Sequence, residues 1–113
     1  MLKLFTAIAA IAVASFNPSA SSTETMLASW YGPGFHGNLT ANGERYDMHG
    51  ISAAHKTLPF GTKLRVCYEG CVVVSINDRG PYIGARELDL SYGAAKTIGL
   101  IDPGVARVNV MYL

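Results

Sequence analysis

Hydrophobic and polar residues alternate with a period of two in the second half of the chain, the pattern of half-buried strands. Leu64 and Val66 alternate with Lys63 and Arg65, and Val72, Val74 and Ile76 resume the pattern after a short break. If Cys67 faces Cys71 across Tyr68-Glu69-Gly70, then Val66 faces Val72 and Leu64 faces Val74. Both apolar sets then lie on one side of a ribbon, so the spacing predicts a hairpin over 62–77. Ala106, Val108, Val110 and Tyr112 alternate with Arg107 and Asn109, which predicts a strand over 105–112. Thr23 to Tyr31 reads as a first strand, Ile51 to His55 as a short apolar segment, and Leu88-Asp89-Leu90 as a brief extended piece. Ser91 is placed as the N-cap of a two-turn helix over 92–98, with Gly99 as its stop. Gly32-Pro33-Gly34, Leu58-Pro59-Phe60-Gly61, Asp78-Arg79-Gly80-Pro81 and Pro103-Gly104 are the turns between these elements. The sum is an all-β chain with about six short strands and one or two short helices. A closed barrel is the architecture that hides strand edges in so small a domain.

With 113 residues there is room for one core. Nine basic and eight acidic side chains are scattered along it, which argues against nucleic acid as a partner. A neutral glycan or a small molecule fits the composition better. Residues 1–22 read as a secretion signal: Met1-Leu2-Lys3, an apolar and small-residue run from Leu4 to Phe16, a break at Asn17-Pro18, then Ser19-Ala20-Ser21-Ser22. Cleavage after Ser21 or Ser22 would leave one domain over 23–113. An uncleaved anchor helix is the alternative, but about thirteen apolar residues are few for a bilayer. No cysteine follows the run, so no lipid anchor is expected. The expected product is exported, periplasmic or secreted, monomeric, and without a membrane span in its mature form. In that setting Cys67 and Cys71 can oxidise to a structural disulfide that stabilises the fold by roughly 2 kcal/mol. A redox or metal pair would need a two-residue spacing or further ligands.

Five titratable residues occur where a barrel would not require them. Glu44 and Asp47 lie in a polar loop, His55 ends an apolar segment, Asp78 follows the predicted hairpin, and Asp89 sits between two leucines. Glycosidic cleavage needs a proton donor for the leaving oxygen and a group that steadies an oxocarbenium-like centre. Carboxyl groups with different environments do both, and Asp78 and Glu44 are the catalytic candidates. Each residue also has a structural reading. Asp78 can be a turn aspartate, Glu44 and Arg45 a solvated pair, and Asp89 a half-buried partner of Arg86 or Arg79. His55 can be satisfied by backbone. His36, His49 and His55 follow no recognised ligand spacing, so neither a metal nor a cofactor is expected. Trp30, Tyr31, Phe35, Tyr46 and Tyr82 lie in or beside glycine-rich loops, where flat rings can stack on sugar faces or cap the core.

Taken in order, the motifs resemble one family. Ala28-Ser29-Trp30-Tyr31-Gly32, His36-Gly37, Thr40-Ala41-Asn42-Gly43-Glu44 and Asp47 resemble the opening of RlpA-like (rare lipoprotein A) domains. The likeness continues through Ala53-Ala54-His55, Leu58-Pro59-Phe60-Gly61-Thr62, Asn77-Asp78-Arg79-Gly80-Pro81, Asp89-Leu90-Ser91 and Gly104-Val105-Ala106-Arg107-Val108. It implies a six-stranded double-psi β-barrel related to expansins and barwin-like proteins. It also implies an endolytic lytic transglycosylase, which cuts MurNAc–GlcNAc bonds of peptide-poor peptidoglycan strands and leaves an anhydro-MurNAc end. By motif, Asp78 would be the general acid/base, Glu44, Asp47 and His55 would line the cleft, and Asp89 would be a nearby support. The chain departs from the pattern in lacking a lipidated cysteine and an appended glycan-binding domain, so outer-membrane anchoring and a septal role are not expected of it. A non-catalytic, expansin-like module that binds or loosens wall glycan is the rival expectation.

Overall fold

The computed structural model describes residues 23–113, so the expected signal at 1–22 lies outside the described residues. Six strands form: β1 (Thr23–Tyr31), β2 (Ala53–His55), β3 (Lys63–Cys67), β4 (Cys71–Asp78), β5 (Leu88–Ser91) and β6 (Ala106–Tyr112). One α-helix, α1 (Tyr92–Ile98), and a 3-10 turn at Pro33–Phe35 complete the elements. The strands close in the order β1-β5-β2-β4-β3-β6. Pairs β1/β5 and β2/β4 are parallel. The remaining pairings are antiparallel. This is the double-psi barrel that the motifs implied, and closure gives every strand a neighbour on both sides.

The hairpin register is the one the alternation predicted: Cys67 faces Cys71, Val66 faces Val72 and Leu64 faces Val74. A disulfide joins Cys67 to Cys71. Leu64, Val66, Val74 and Ile76 are fully buried, and Val108 and Val110 meet them from β6. Ala94, Ala95 and Ile98 of α1 pack against the same core. Small alanines let the helix axis approach the barrel closely, which a bulkier face would prevent.

Several boundaries differ from expectation by one or two residues: β2 begins at Ala53, β3 at Lys63, and β5 runs on to Ser91. Strand β6 begins at Ala106, and β4 runs on through Asp78 because that residue pairs with Ala54 of β2 across a register shift. Asp78 therefore stands on a strand end and its backbone is fixed by the sheet. The helix matches its prediction. Ser91 Oγ accepts the Ala94 N–H at 3.2 Å, and Gly99 ends the helix in the left-handed region with φ 83°. Among the described residues, no helix is long and apolar enough to cross a membrane.

Candidate active site

The C-terminal ends of β1 and β4 open onto a groove of about 570 Å³. One wall is Trp30-Tyr31 and the glycine-broken turn after it, through Phe35. The other is the segment from Asp78 to Ile83, with Arg86 and Asp89 completing the wall. Asp78 is gripped on one side. Its Oδ1 accepts the Ala41 N–H and the Arg79 N–H, both at 2.9 Å. Its Oδ2 faces the Tyr31 hydroxyl at 3.4 Å. The bond to Arg79 is what a turn aspartate would make, but Ala41 comes from a distant loop and fixes the carboxylate in the groove wall. Burial, with the Asp78 charge adding to it, holds the Tyr31 phenol far above its ordinary pKa. Tyr31 is therefore a permanent donor toward Asp78 at any physiological pH.

Asp89 shares the wall. The β1/β5 register sets it opposite Ser29, whose hydroxyl donates to Asp89 Oδ1 at 3.0 Å. Burial raises the Asp89 pKa, opposed by the Ser29 hydrogen bond and the Arg86 charge and reinforced by Asp78. A carboxyl whose folded pKa is raised is most stabilising when protonated, and its contribution is lost as pH rises from the ordinary value of 3.8 through the raised one. Asp89→Asn is thus expected to melt a few degrees above the wild type at pH 7 and level with it at pH 3, as followed by circular dichroism.

Glu44 stands elsewhere. Its Oε1 accepts from Asn77 Nδ2 at 3.0 Å, and Asn77 projects from the opposite face of β4 to Asp78. Loop 40–44 is held over that strand end by Asn42 N–H to Asn77 O at 3.2 Å, and the Thr40 hydroxyl to Asn42 Oδ1 at 2.6 Å braces the loop internally. The groove thus brings together Asp78 and Asp89, while Glu44 does not line it. Asp47 accepts the His49 N–H at 3.0 Å and shapes the turn that follows it. Tyr46 is buried, with a ring stacked on Tyr31 at 4.3 Å between centroids. Its hydroxyl donates to the Tyr31 carbonyl and accepts the Tyr92 N–H. It therefore supports Tyr31 from beneath. Trp30 does two jobs: it packs on the core, with Nε1 donating to the Ile101 carbonyl at 3.3 Å, and it lines the groove. Tyr82 stands at the rim, 73% exposed.

His55 caps a turn. Its Nδ1 accepts the N–H groups of Thr57 and Leu58, both at 3.1 Å, so that nitrogen must be unprotonated. Burial lowers its pKa below the ordinary 6.5. The contribution of a base so depressed is present above 6.5 and is lost as pH falls through the folded value. The melting temperature is expected to fall between pH 7 and pH 5, and His55→Asn, which keeps an acceptor and cannot titrate, should flatten that slope. The same turn receives Arg79. Its Nη1 donates to the His55 and Leu58 carbonyls at 3.2 and 2.9 Å, and its guanidinium lies 4.0 Å above the Phe60 ring centre. His55 is held to the groove through Arg79 and does not line it.

The profile of the lytic transglycolase family matches residues 23–110. The chain belongs to that family. It is similar to the probable endolytic peptidoglycan transglycosylase RlpA of Synechocystis sp., with 56% identity over 85 residues, covering 73% of this chain and 26% of the relative. It is also similar to the endolytic peptidoglycan transglycosylase RlpA of Pseudomonas aeruginosa, with 52% identity over 86 residues, covering 74% and 25%. The chain spans about a quarter of the length of these two relatives. The structure of an expansin from Clavibacter michiganensis superposes with a TM-score of 0.65 at 22% identity, covering 80% of this chain and 50% of that one, which shows a shared fold.

In this member of the lytic transglycolase family the groove is also lined by residues that spacing does not single out, among them Arg79, Ile83 and Arg86. The two arginines entered the sequence reading only as partners for Asp89. The available signal was their position, Arg79 beside Asp78 and Arg86 three residues before Asp89.

Proposed function

We propose that this chain is an endolytic lytic transglycosylase that cuts MurNAc–GlcNAc bonds in peptide-poor peptidoglycan strands, with Asp78 as general acid/base. The observation that carries the reading is the asymmetric hold on Asp78: two amides grip Oδ1, and Oδ2 is left toward the groove beside the Tyr31 phenol. Acting as general acid, Asp78 passes a proton to the glycosidic oxygen as the C–O bond breaks. A hydroxyl of the same muramyl residue then closes on the anomeric carbon and returns its proton to Asp78. No water is consumed, and one carboxyl group serves both steps. Asp89, held toward its neutral form by burial and by the Asp78 charge, supports the centre from the same wall. Trp30, Tyr31, Phe35 and Tyr82 offer ring faces to the sugars. Glu44, Asp47 and Tyr46 act by shaping the loop and turn on which the groove rests. Membership of the family and the similarity to the two RlpA proteins support the substrate class. Peptidoglycan lies outside the cytoplasmic membrane, so this reading requires export, which the signal expected at residues 1–22 would provide.

The expansin fold favours one other reading, a module that grips glycan without cutting it. Incubating the purified chain with long peptide-stripped glycan strands separates the two. Endolytic cleavage is expected to shorten the strands through their interiors. Strands that stay full length while co-sedimenting with the protein would make it a binding module.

A further inference from the structure

Two arginines line the groove, and the structure uses them differently. Arg79 is engaged through Nη1 by the His55 and Leu58 carbonyls and through its face by the Phe60 ring. Arg86 is half-buried in the wall, and among the described residues its guanidinium has no hydrogen-bond partner. The backbone that carries it is stitched down on both sides. Arg86 N–H donates to the Ile83 carbonyl at 3.2 Å, and Glu87 N–H donates to the Leu27 carbonyl at 2.9 Å. The Glu87 carboxylate in turn accepts the Leu27 N–H at 3.1 Å. The obvious internal counter-ion, Asp89, spends its Oδ1 on Ser29. No hydrogen bond joins Asp89 to the Arg86 guanidinium, and the two groups meet only through their charges. A half-buried arginine on a held backbone, with its guanidinium unengaged beside a ligand groove, is suited to read an anion, because its forked donors match a carboxylate.

We infer that Arg86 recognises the free lactyl carboxylate of an N-acetylmuramic acid residue bound in the groove, an assignment that rests on the glycan-cleaving reading above. The chemistry of the strand singles out this group. N-acetylglucosamine is neutral, and the lactyl ether of muramic acid carries a carboxyl group. With a stem peptide attached, that carboxyl is an amide and has no charge. With the peptide removed, it is a carboxylate. A guanidinium placed to meet it makes Arg86 a residue that distinguishes stripped strands from substituted ones.

The test compares peptide-stripped strands with free lactyl carboxylates and the same strands capped as methylamides by carbodiimide coupling. Binding and turnover are measured for the wild type, Arg86→Gln and Arg86→Lys, after confirming that each variant melts as a folded protein. The wild type is expected to bind free strands about tenfold more tightly than capped ones, a gap of about 1.4 kcal/mol, with the difference appearing in KM. Arg86→Gln should bind both strands alike, at the level of the wild type on capped strands. Arg86→Lys, which keeps the charge and loses the fork, should keep a reduced preference, and it carries the test alone should the glutamine variant not fold. An Arg86→Gln protein with the full wild-type preference would overturn the assignment, as would a wild type indifferent to capping. If no protein cuts any strand, the cleavage reading fails, and the free-to-capped binding ratio still decides the role of Arg86.

Discussion

Asp78→Asn is expected to lower the rate of glycan cleavage by about 10²- to 10⁴-fold, the range lost with a general acid/base. Affinity for the strand should stay within a few-fold of the wild type. The expectation of intact binding follows from the geometry. Asparagine keeps an oxygen for the Ala41 and Arg79 amides, so the loop over β4 and the strand end stay where they are. What disappears is the titratable oxygen beside Tyr31. The phenol cannot replace it, because burial, the larger cause, still holds Tyr31 protonated once the carboxylate is gone. A drop in kcat with an unchanged KM is therefore the signature, measured as release of soluble fragments from stripped strands. A variant that lost affinity as severely as rate would show that Asp78 binds the strand more than it transfers a proton.

Ser91→Ala is expected to cost about 3 kcal/mol, of which roughly 1 comes from the helix cap and the rest from buried groups left unpaired. Ser91 is fully buried, and its hydroxyl is used three times. It accepts the Ala94 N–H at 3.2 Å and the Ser52 N–H at 3.1 Å, and it donates to the Gly50 carbonyl at 2.8 Å. One side chain thus ties α1, β5 and the segment before β2 together. In a domain of this size that loss lowers the melting temperature by roughly 12–24 °C. Urea denaturation of the two proteins checks it. A cost below about 1 kcal/mol would mean that water reaches these groups and satisfies them.

Ser91 also marks what the sequence could and could not reveal. Its capping role is local: a serine before a seven-residue helix with a glycine stop is readable from spacing alone. Its bonds to Gly50 and Ser52 span about 40 positions, and nothing in the neighbouring residues announces them. The same division runs through the fold. Alternation and the two cysteines fixed the β3/β4 register, because a hairpin carries its own pairing information. The parallel pairs β1/β5 and β2/β4 depend on crossovers, so they were legible through the likeness to a family and invisible to periodicity.

The site divides in a similar way. Asp78 and Asp89 are where the motifs led one to look, and Tyr31 and Tyr82 do line the groove. Asp47 and His55 turned out to cap turns, and Glu44 to bond across to Asn77. An acid that steadies its own loop and an acid aimed into a cleft are the same residue type in the same kind of segment. Only the fold separates them. Arg86 shows the converse, since from spacing it reads only as a partner for Asp89 until the strands bring it beside a groove.

The most direct test of the account is the mass of the ends released from peptide-stripped peptidoglycan by the purified chain. Intramolecular closure on the muramyl residue predicts anhydro-MurNAc termini, one water lighter than a reducing sugar, and no label taken up from heavy-oxygen water. Reducing MurNAc ends carrying the heavy oxygen would contradict it, because a water molecule would then have been the nucleophile.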